Sequence, residues 1–432
     1  MSSSQALLRI GAPLDMYYTD EENCKKQSIP VEYDTRYRQD FSNKASGVSV
    51  LTIPPNQGVR HCLIVLGYQA AATPNTPGNI NSQTGSRALE RGWGYKALEQ
   101  ISFRIGGSSQ YFLTGDQLLA RNMRLCRTQA QRDALLSLGG SECKVAADFD
   151  VDQYAYIPVS IWCAPGEDEL QLPLPTDLLS QQTQLTAQLV SPAAFWSSPI
   201  TGFAGGDAEP PASFDVAYFQ IEQLCMKDRG MGLANRVDMN THMYSMALPT
   251  FDQYEVMLQL NSSAVAQPVV LTGFRAGEVK KLQIYLTKND PSAAGTAEAA
   301  SDNALRWYTP KSVKVLYAGL VYAQYDNGSS RIWNLLDGTA PAAVNQSALA
   351  VAGGVWTSTP VLSEWCELPF GQPSGSDYEA DILSSGKEIT NGIVNMEVVV
   401  PAGGGAAGWT LHIVYVYNST LVFSRGTAEF TF

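Results

Sequence analysis

Apolar and polar side chains alternate over Gly47–Ile53, where Val48, Val50 and Thr52 interleave with Ser49, Leu51 and Ile53. Such a period of two predicts a strand. A Pro54-Pro55-Asn56-Gln57-Gly58 turn follows, and strand character resumes over His61–Leu66. Further strands are expected at Ile101–Ile105, Gln110–Leu113 and Gln153–Cys163. Downstream the same grammar returns at Phe214–Cys225, Glu255–Leu260, Val269–Phe274, Lys280–Thr287 and Ser312–Tyr325. In the last of these Val313, Val315 and Tyr317 face one way, and Lys314 and Leu316 the other. The final strands are expected at Ile393–Val400, Trp409–Tyr417, Thr420–Ser424 and Ala428–Phe432.

One segment has helical spacing. Thr114 can cap it, Asp116 favours its positive end, and Gly139-Gly140 stops it. Leu119, Met123, Cys126 and Ala130 form one face, which predicts a single helix. Arg121, Arg124, Arg127 and Arg132 occupy the other faces, and are expected to be solvated or to contact another subunit.

Between the strands lie low-charge stretches at 69–94, 164–214, 289–303 and 337–363, all expected to be loops. The run Phe203-Ala-Gly-Gly-Asp-Ala-Glu-Pro-Pro-Ala-Ser213 is the clearest boundary. It divides the chain into a polar arm over about 1–40, a first half over 41–212 and a second over 213–432. Strands of five to nine residues without strand–helix alternation predict two β-sandwiches.

Composition narrows the function. The 432 residues carry 29 Lys plus Arg against 41 Asp plus Glu, a net charge of −12. Coating nucleic acid requires clustered cations, so direct nucleic-acid binding is not expected. Hydrophobic residues at 45% supply two real cores, which excludes a disordered chain. Seven cysteines without a CxxC pair and three scattered histidines give no zinc pattern, and the cysteines are expected to be reduced and buried. Met1–Tyr18 lacks the apolar run of a signal peptide, so synthesis inside a cell without secretion is expected. No apolar stretch is long enough for a membrane span.

Catalytic signatures are missing from the sequence: there is no GxSxG, HExxH or phosphate-binding loop. Asp148, Asp150 and Asp152 alternate beside a strand and could form an acid pair, but the pattern is more often a solvated strand entrance or an adventitious cation site, and no catalysis is expected there. His412, in an apolar strand, is expected to be structural. Trp307, Trp333, Trp409, Tyr317 and Tyr415 are expected in cores. Four tryptophans in low-charge segments, Trp93, Trp196, Trp356 and Trp365, are the candidates for contacts with another subunit. No catalytic, cofactor-binding or metal residues are assigned.

Three passages resemble the double jelly-roll major capsid proteins of the tectivirus–adenovirus lineage, including those of virophages, polinton-like viruses and large DNA viruses. The first is Leu98–Leu119, with its Ile105-Gly106-Gly107 turn leading to a helix. The second is 271–287, with Gly273-Phe274-Arg275-Ala276-Gly277-Glu278, followed by Leu316-Tyr317-Ala318-Gly319. The third is Leu368-Pro369-Phe370-Gly371-Gln372 and then Leu411–Phe432. The passages cover about a quarter of the chain and fall in the family's order.

The resemblance implies an all-β fold of two consecutive eight-stranded jelly rolls with few short helices. It implies a homotrimer forming a pseudo-hexagonal capsomer that tiles an icosahedral shell, located in the virion. Neighbouring capsomers, minor capsid and vertex proteins would be partners, and an internal membrane could underlie the shell. The N-terminal arm would order beneath the shell. A minor vertex or spike protein, or a glycan-binding β-sandwich protein, are the alternative readings.

Overall fold

The computed structural model describes residues 39–40, 48–53, 58–68, 90–106, 111–126, 128–142, 153–159, 174–175, 180–189, 216–226, 243–258, 265–271, 278–288, 307–326, 329, 343–352, 355–370, 387–388, 394–402, 408–424 and 427–431.

In the N-terminal part, strands run β1 (Gln39–Asp40), β2 (Val48–Ile53), β3 (Gly58–Tyr68), β4 (Leu98–Ile105), β5 (Tyr111–Leu113), β6 (Gln153–Val159), β7 (Leu174–Pro175), β8 (Thr183–Leu189) and β9 (Val216–Met226). Among the described residues three helices accompany them: α1 (Trp93–Lys96), before β4, then α2 (Gly115–Leu125) and α3 (Gln129–Leu138), between β5 and β6. Two antiparallel sheets result, ordered β1-β9-β3-β6 and β2-β8-β4-β5, with the short β7 beside β3.

The C-terminal part repeats this plan. Its strands are β10 (Met243–Leu258), β11 (Gln267–Val270), β12 (Glu278–Lys288), β13 (Ser312–Tyr317), β14 (Leu320–Asp326), β15 (Ala343–Ala352), β16 (Val355–Glu364), β17 (Cys366–Pro369), β18 (Lys387–Glu388), β19 (Val394–Val399), β20 (Trp409–Ser424) and β21 (Thr427–Thr431). The sheets are ordered β10-β20-β12-β17 and β11-β19-β13-β14. β18 lies beside β12 as β7 lies beside β3, and β21 folds back on β20.

Set aside the short β7 and β18, the β21 return and the separate two-stranded β15–β16 sheet, and each part has eight principal strands among the described residues. One sheet takes the first, eighth, third and sixth, and the other the second, seventh, fourth and fifth. That order is the same twice, and it is the interleaved pattern of a jelly roll. The fold is therefore a double jelly roll, as the resemblance implied.

Alternation explains the sheets. Val313 and Val315 are buried, and Lys314, on the opposite face, meets Glu397 at 3.0 Å across the β13–β19 pair. In β19, Val394, Met396 and Val398 point into the same core. From the other sheet come Leu282, Ile284 and Leu286 of β12, with Leu411 and Ile413 of β20. Two faces read with period two thus close over one apolar layer.

Several expectations need revision. The stretch 164–214, expected to be a loop, contains β8, whose Leu185, Ala187 and Leu189 are buried between half-buried Gln184, Thr186 and Gln188. The stretch 337–363, also expected to be a loop, contains β15 and most of β16, paired through ten consecutive residues. The single expected helix is two. Thr128 accepts a hydrogen bond from the Gln131 amide at 3.2 Å, and the Gln131 side chain accepts from the Thr128 amide at 3.1 Å. This capping box starts α3 afresh after Cys126. Finally, the strand expected to open the second half at Phe214 pairs with β1 and β3 as β9, inside the sheets of the N-terminal part. The N-terminal arm before Gln39, residues 69–89 of the stretch 69–94 and all of 289–303 lie outside the described residues.

Candidate assembly surfaces

The helices between β5 and β6 are held by close backbone approaches. Gly115 sits where an added Cβ would lie 1.9 Å from the Tyr95 carbonyl oxygen, and Gly139 presses on the Tyr95 ring. Asn122 of α2, wholly buried, donates through Nδ2 to the Tyr95 phenol oxygen at 3.1 Å and to the Pro158 carbonyl at 2.8 Å. It thereby ties α2 to both α1 and β6. Burial pushes the Tyr95 phenol well above its ordinary range, while the Asn122 bond acts the other way.

This module corrects two expectations. Trp93 is 1% exposed, with Gly140 directly against its indole, so it is a core residue of the chain and has no surface to offer another subunit. Arg121 and Arg132 are buried as well. Arg132 donates through Nε to the Met123 carbonyl at 3.1 Å, satisfying an acceptor in the last turn of α2. The Arg124 and Arg127 side chains lie outside the described residues.

Trp365 likewise turns inward. It is 4% exposed, packs edge-on against buried Trp307 at 5.5 Å, and donates through Nε1 to Glu367 Oε1 at 3.1 Å. Gln283 donates to the same oxygen at 2.9 Å, and Lys281 Nζ stands 3.9 Å from Oε2. Composition gave Trp365 the look of a loop residue, but its neighbours are strand β17 and the edge of the β12 sheet. Trp356 lies on β16 opposite Val351, and its side chain is outside the described residues, as is all of Trp196.

Other residues fall where alternation put them. Trp307, Trp409 and Tyr415 are buried. His412 stacks on Tyr285 at 4.6 Å and shares a hydrogen bond with Thr287 at 2.7 Å, joining β20 to β12. Cys62, Cys126 and Cys366 are buried. Asp148, Asp150 and Asp152 lie outside the described residues. Among the described residues no His, Cys, Asp or Glu group could hold a metal ion, and no helix is long and apolar enough to cross a membrane.

What the surface does present is apolar edges. The exposed large hydrophobic residues are Val48 and Val50 on β2, Phe112 on β5, Tyr154 and Tyr156 on β6, Val270 on β11, and Leu320, Val321 and Tyr322 on β14. Only Leu138, on α3, and Val265, just before β11, fall elsewhere among the described residues. Each of those five strands is the last in its sheet. The exposed set contains none of the tryptophans to which low local charge pointed. The available signal was an apolar residue at the polar phase of an alternating strand, as with Tyr154 and Tyr156 flanking buried Ala155.

An edge strand carries unpaired backbone donors and acceptors, and isolated proteins blunt it with charge, proline or brevity. Pro158 on β6 and Pro268 on β11 do this, and β5 is three residues long. β14 has neither proline nor any charge before Asp326, and β2 has neither at all. These two margins are suited to being covered by protein.

No family model matches the chain, and no curated protein matches it. Solved structures do. The PBCV-1 virus capsid matches with a TM-score of 0.61 at 12% identity, over 94% of this chain and 99% of that one. The Faustovirus major capsid protein matches with a TM-score of 0.59 at 8% identity, over 97% of each chain. The Sputnik virophage structure from cryo-electron microscopy matches with a TM-score of 0.53 at 11% identity, over 96% of this chain and 91% of that one. At such identities the likeness is one of fold, and it spans both jelly rolls.

Proposed function

We propose that this chain is a major capsid protein, three copies of which form a pseudo-hexagonal capsomer that tiles an icosahedral viral shell. The observation that carries this reading is the duplicated jelly-roll strand order with its exposed apolar residues gathered on edge strands. Structures of the same fold that the chain resembles along nearly its whole length are shell proteins of viruses. The role is architectural rather than catalytic.

The physical basis is burial at the edges. Obligate interfaces bury on the order of 2,000–5,000 Å², at roughly 25 cal/mol per Å² of apolar area before association and ordering costs are taken out. Uncharged margins such as β2 and β14 suit this type of contact. Contacts between capsomers, and with minor capsid or vertex proteins, would be smaller and more polar. The working location would be the virion.

The pairing of β9 supports a division different from one at residue 213. In this reading the first roll extends from about Gln39 to Met226 and the second begins at Met243.

Light scattering of the purified full chain tests the proposal. A mass of three chains is expected, with hexagonal outlines by negative-stain electron microscopy. A stable monomer at high protein concentration would overturn it.

A further inference from the structure

The two rolls are equivalent strand by strand, and one contact between them is made inside the chain. β5, the fifth strand of the first roll, lies against β10, the first strand of the second. The counterpart of β5 in the second roll is β14, and the counterpart of β10 in the first is β1, which lies beside β2. Among the described residues no strand pairs with the outer edge of β14.

From this we infer that β14 of one copy docks on the β1–β2 margin of the next, repeating between chains the contact that β5 makes with β10 within one. The inference rests on the capsomer reading and adds which edge meets which.

Side chains favour the match. β14 exposes Leu320, Val321 and Tyr322, at 75%, 55% and 40%, and β2 exposes Val48 and Val50, at 56% and 39%. Leu320–Tyr325 of β14 and all of β2 are free of charge, with Asp326 at the end of β14 and Asp40 on β1 flanking them. Bringing the apolar stretches together need therefore strand no ion out of water. The Tyr322 ring is already held, stacked on Phe370 at 5.1 Å. Ordering it in an interface therefore has little further entropic cost.

The contact is heterologous: two different surfaces meet, head to tail. Such an interface makes a ring if the rotation closes and a filament if it does not. In a ring each chain contributes one β14 and one β2, and no copy is left with a bare margin. An isologous β14–β14 contact would instead stop at two chains and leave β2 uncovered.

The test uses the full-length chain with cysteines at both margins, Leu320→Cys and Val50→Cys, treated with a short bis-maleimide. Wild-type protein given the same reagent controls for the native thiols. The double variant should give covalent species up to three chains on a denaturing gel, and each single variant only the wild-type pattern. Dimers from Leu320→Cys alone would mean that β14 meets itself, and would overturn the pairing. So would a three-chain particle whose double variant fails to cross-link, an outcome that leaves the capsomer reading intact. A wild-type chain that remains monomeric overturns both.

Leu320→Asp provides the second arm. Because Leu320 is so exposed, circular dichroism should be unchanged while the mass in solution falls from three chains to one. Retention of the full mass would count against the inference.

Discussion

Glu367 on β17 sits directly opposite Gln283 on β12, and its carboxylate accepts hydrogen bonds from Gln283 and Trp365 while facing the Lys281 ammonium. The two charged side chains are 2% and 9% exposed. An ion in such surroundings is tolerable only because donors surround it.

Removing one partner should therefore be costly. Glu367→Ala leaves Lys281 charged and buried, and we expect about 3–5 kcal/mol of destabilisation. Changing both, Lys281→Met with Glu367→Met, should cost much less, because neither charge is then buried in the absence of the other. Urea midpoints for the wild type, the single variant and the double variant check this, and equal losses in the two variants would contradict it.

Trp365→Ala should act on the fold. Its indole fills space against Trp307 and supplies a donor to Glu367, so a loss of about 3–5 kcal/mol is expected. Thermal unfolding measures it. A variant with a normal melting temperature but defective association would restore Trp365 as a contact residue.

Much of the fold was legible locally, and the errors have identifiable sources. Val313 and Val315 against Lys314 read correctly because a half-buried strand has a period of two. β8 escaped because Thr and Gln fill its outward positions and only Leu185, Ala187 and Leu189 mark the inner face. β15 and β16 are mostly small and uncharged, a composition shared with loops. The placement of β9 is set by partners more than 140 residues away, and pairing at that range leaves no local trace. Trp93 and Trp365 went astray for a related reason. Low charge around an aromatic residue marks exclusion from water, but does not say whether the excluding partner is the same chain.

Glycine positions give a sharper contrast. Gly115→Ala would drive a methyl group into the Tyr95 carbonyl, where only backbone can yield, and should destabilise by about 1–3 kcal/mol. Ala318 and Gly319, the two residues of the β13–β14 turn, both have positive φ, at 50° and 80°, with open space around Gly319. Ala318→Gly should gain up to about 1–2 kcal/mol by relieving a left-handed conformation. Chemical denaturation of both variants checks the opposite signs.

Alkaline pH should weaken the helical module. Burial raises the folded-state pKa of Tyr95 above its unfolded value of about 10, so the neutral phenol's contribution is complete below that pH. Above it the unfolded chain releases the proton first, and stability falls as pH rises. Lys96 runs the other way: burial lowers its pKa, and its contribution grows with pH up to about 10.5. Tyr95→Phe should flatten the fall above pH 10.5, because Asn122 keeps its bond to the Pro158 carbonyl. Unfolding midpoints taken across pH 9–12 distinguish the two, and an unchanged alkaline slope in Tyr95→Phe would refute the assignment.

In both rolls the strand between the first and the third is the last principal one along the chain: β9 lies between β1 and β3, and β20 between β10 and β12. The place between β1 and β3 can therefore be filled only once residues 216–226 have been made, and that between β10 and β12 only once 409–424 have. Each barrel is thus closed by its final stave. An earlier stop in translation, however near the end of a roll, leaves a groove open along its middle.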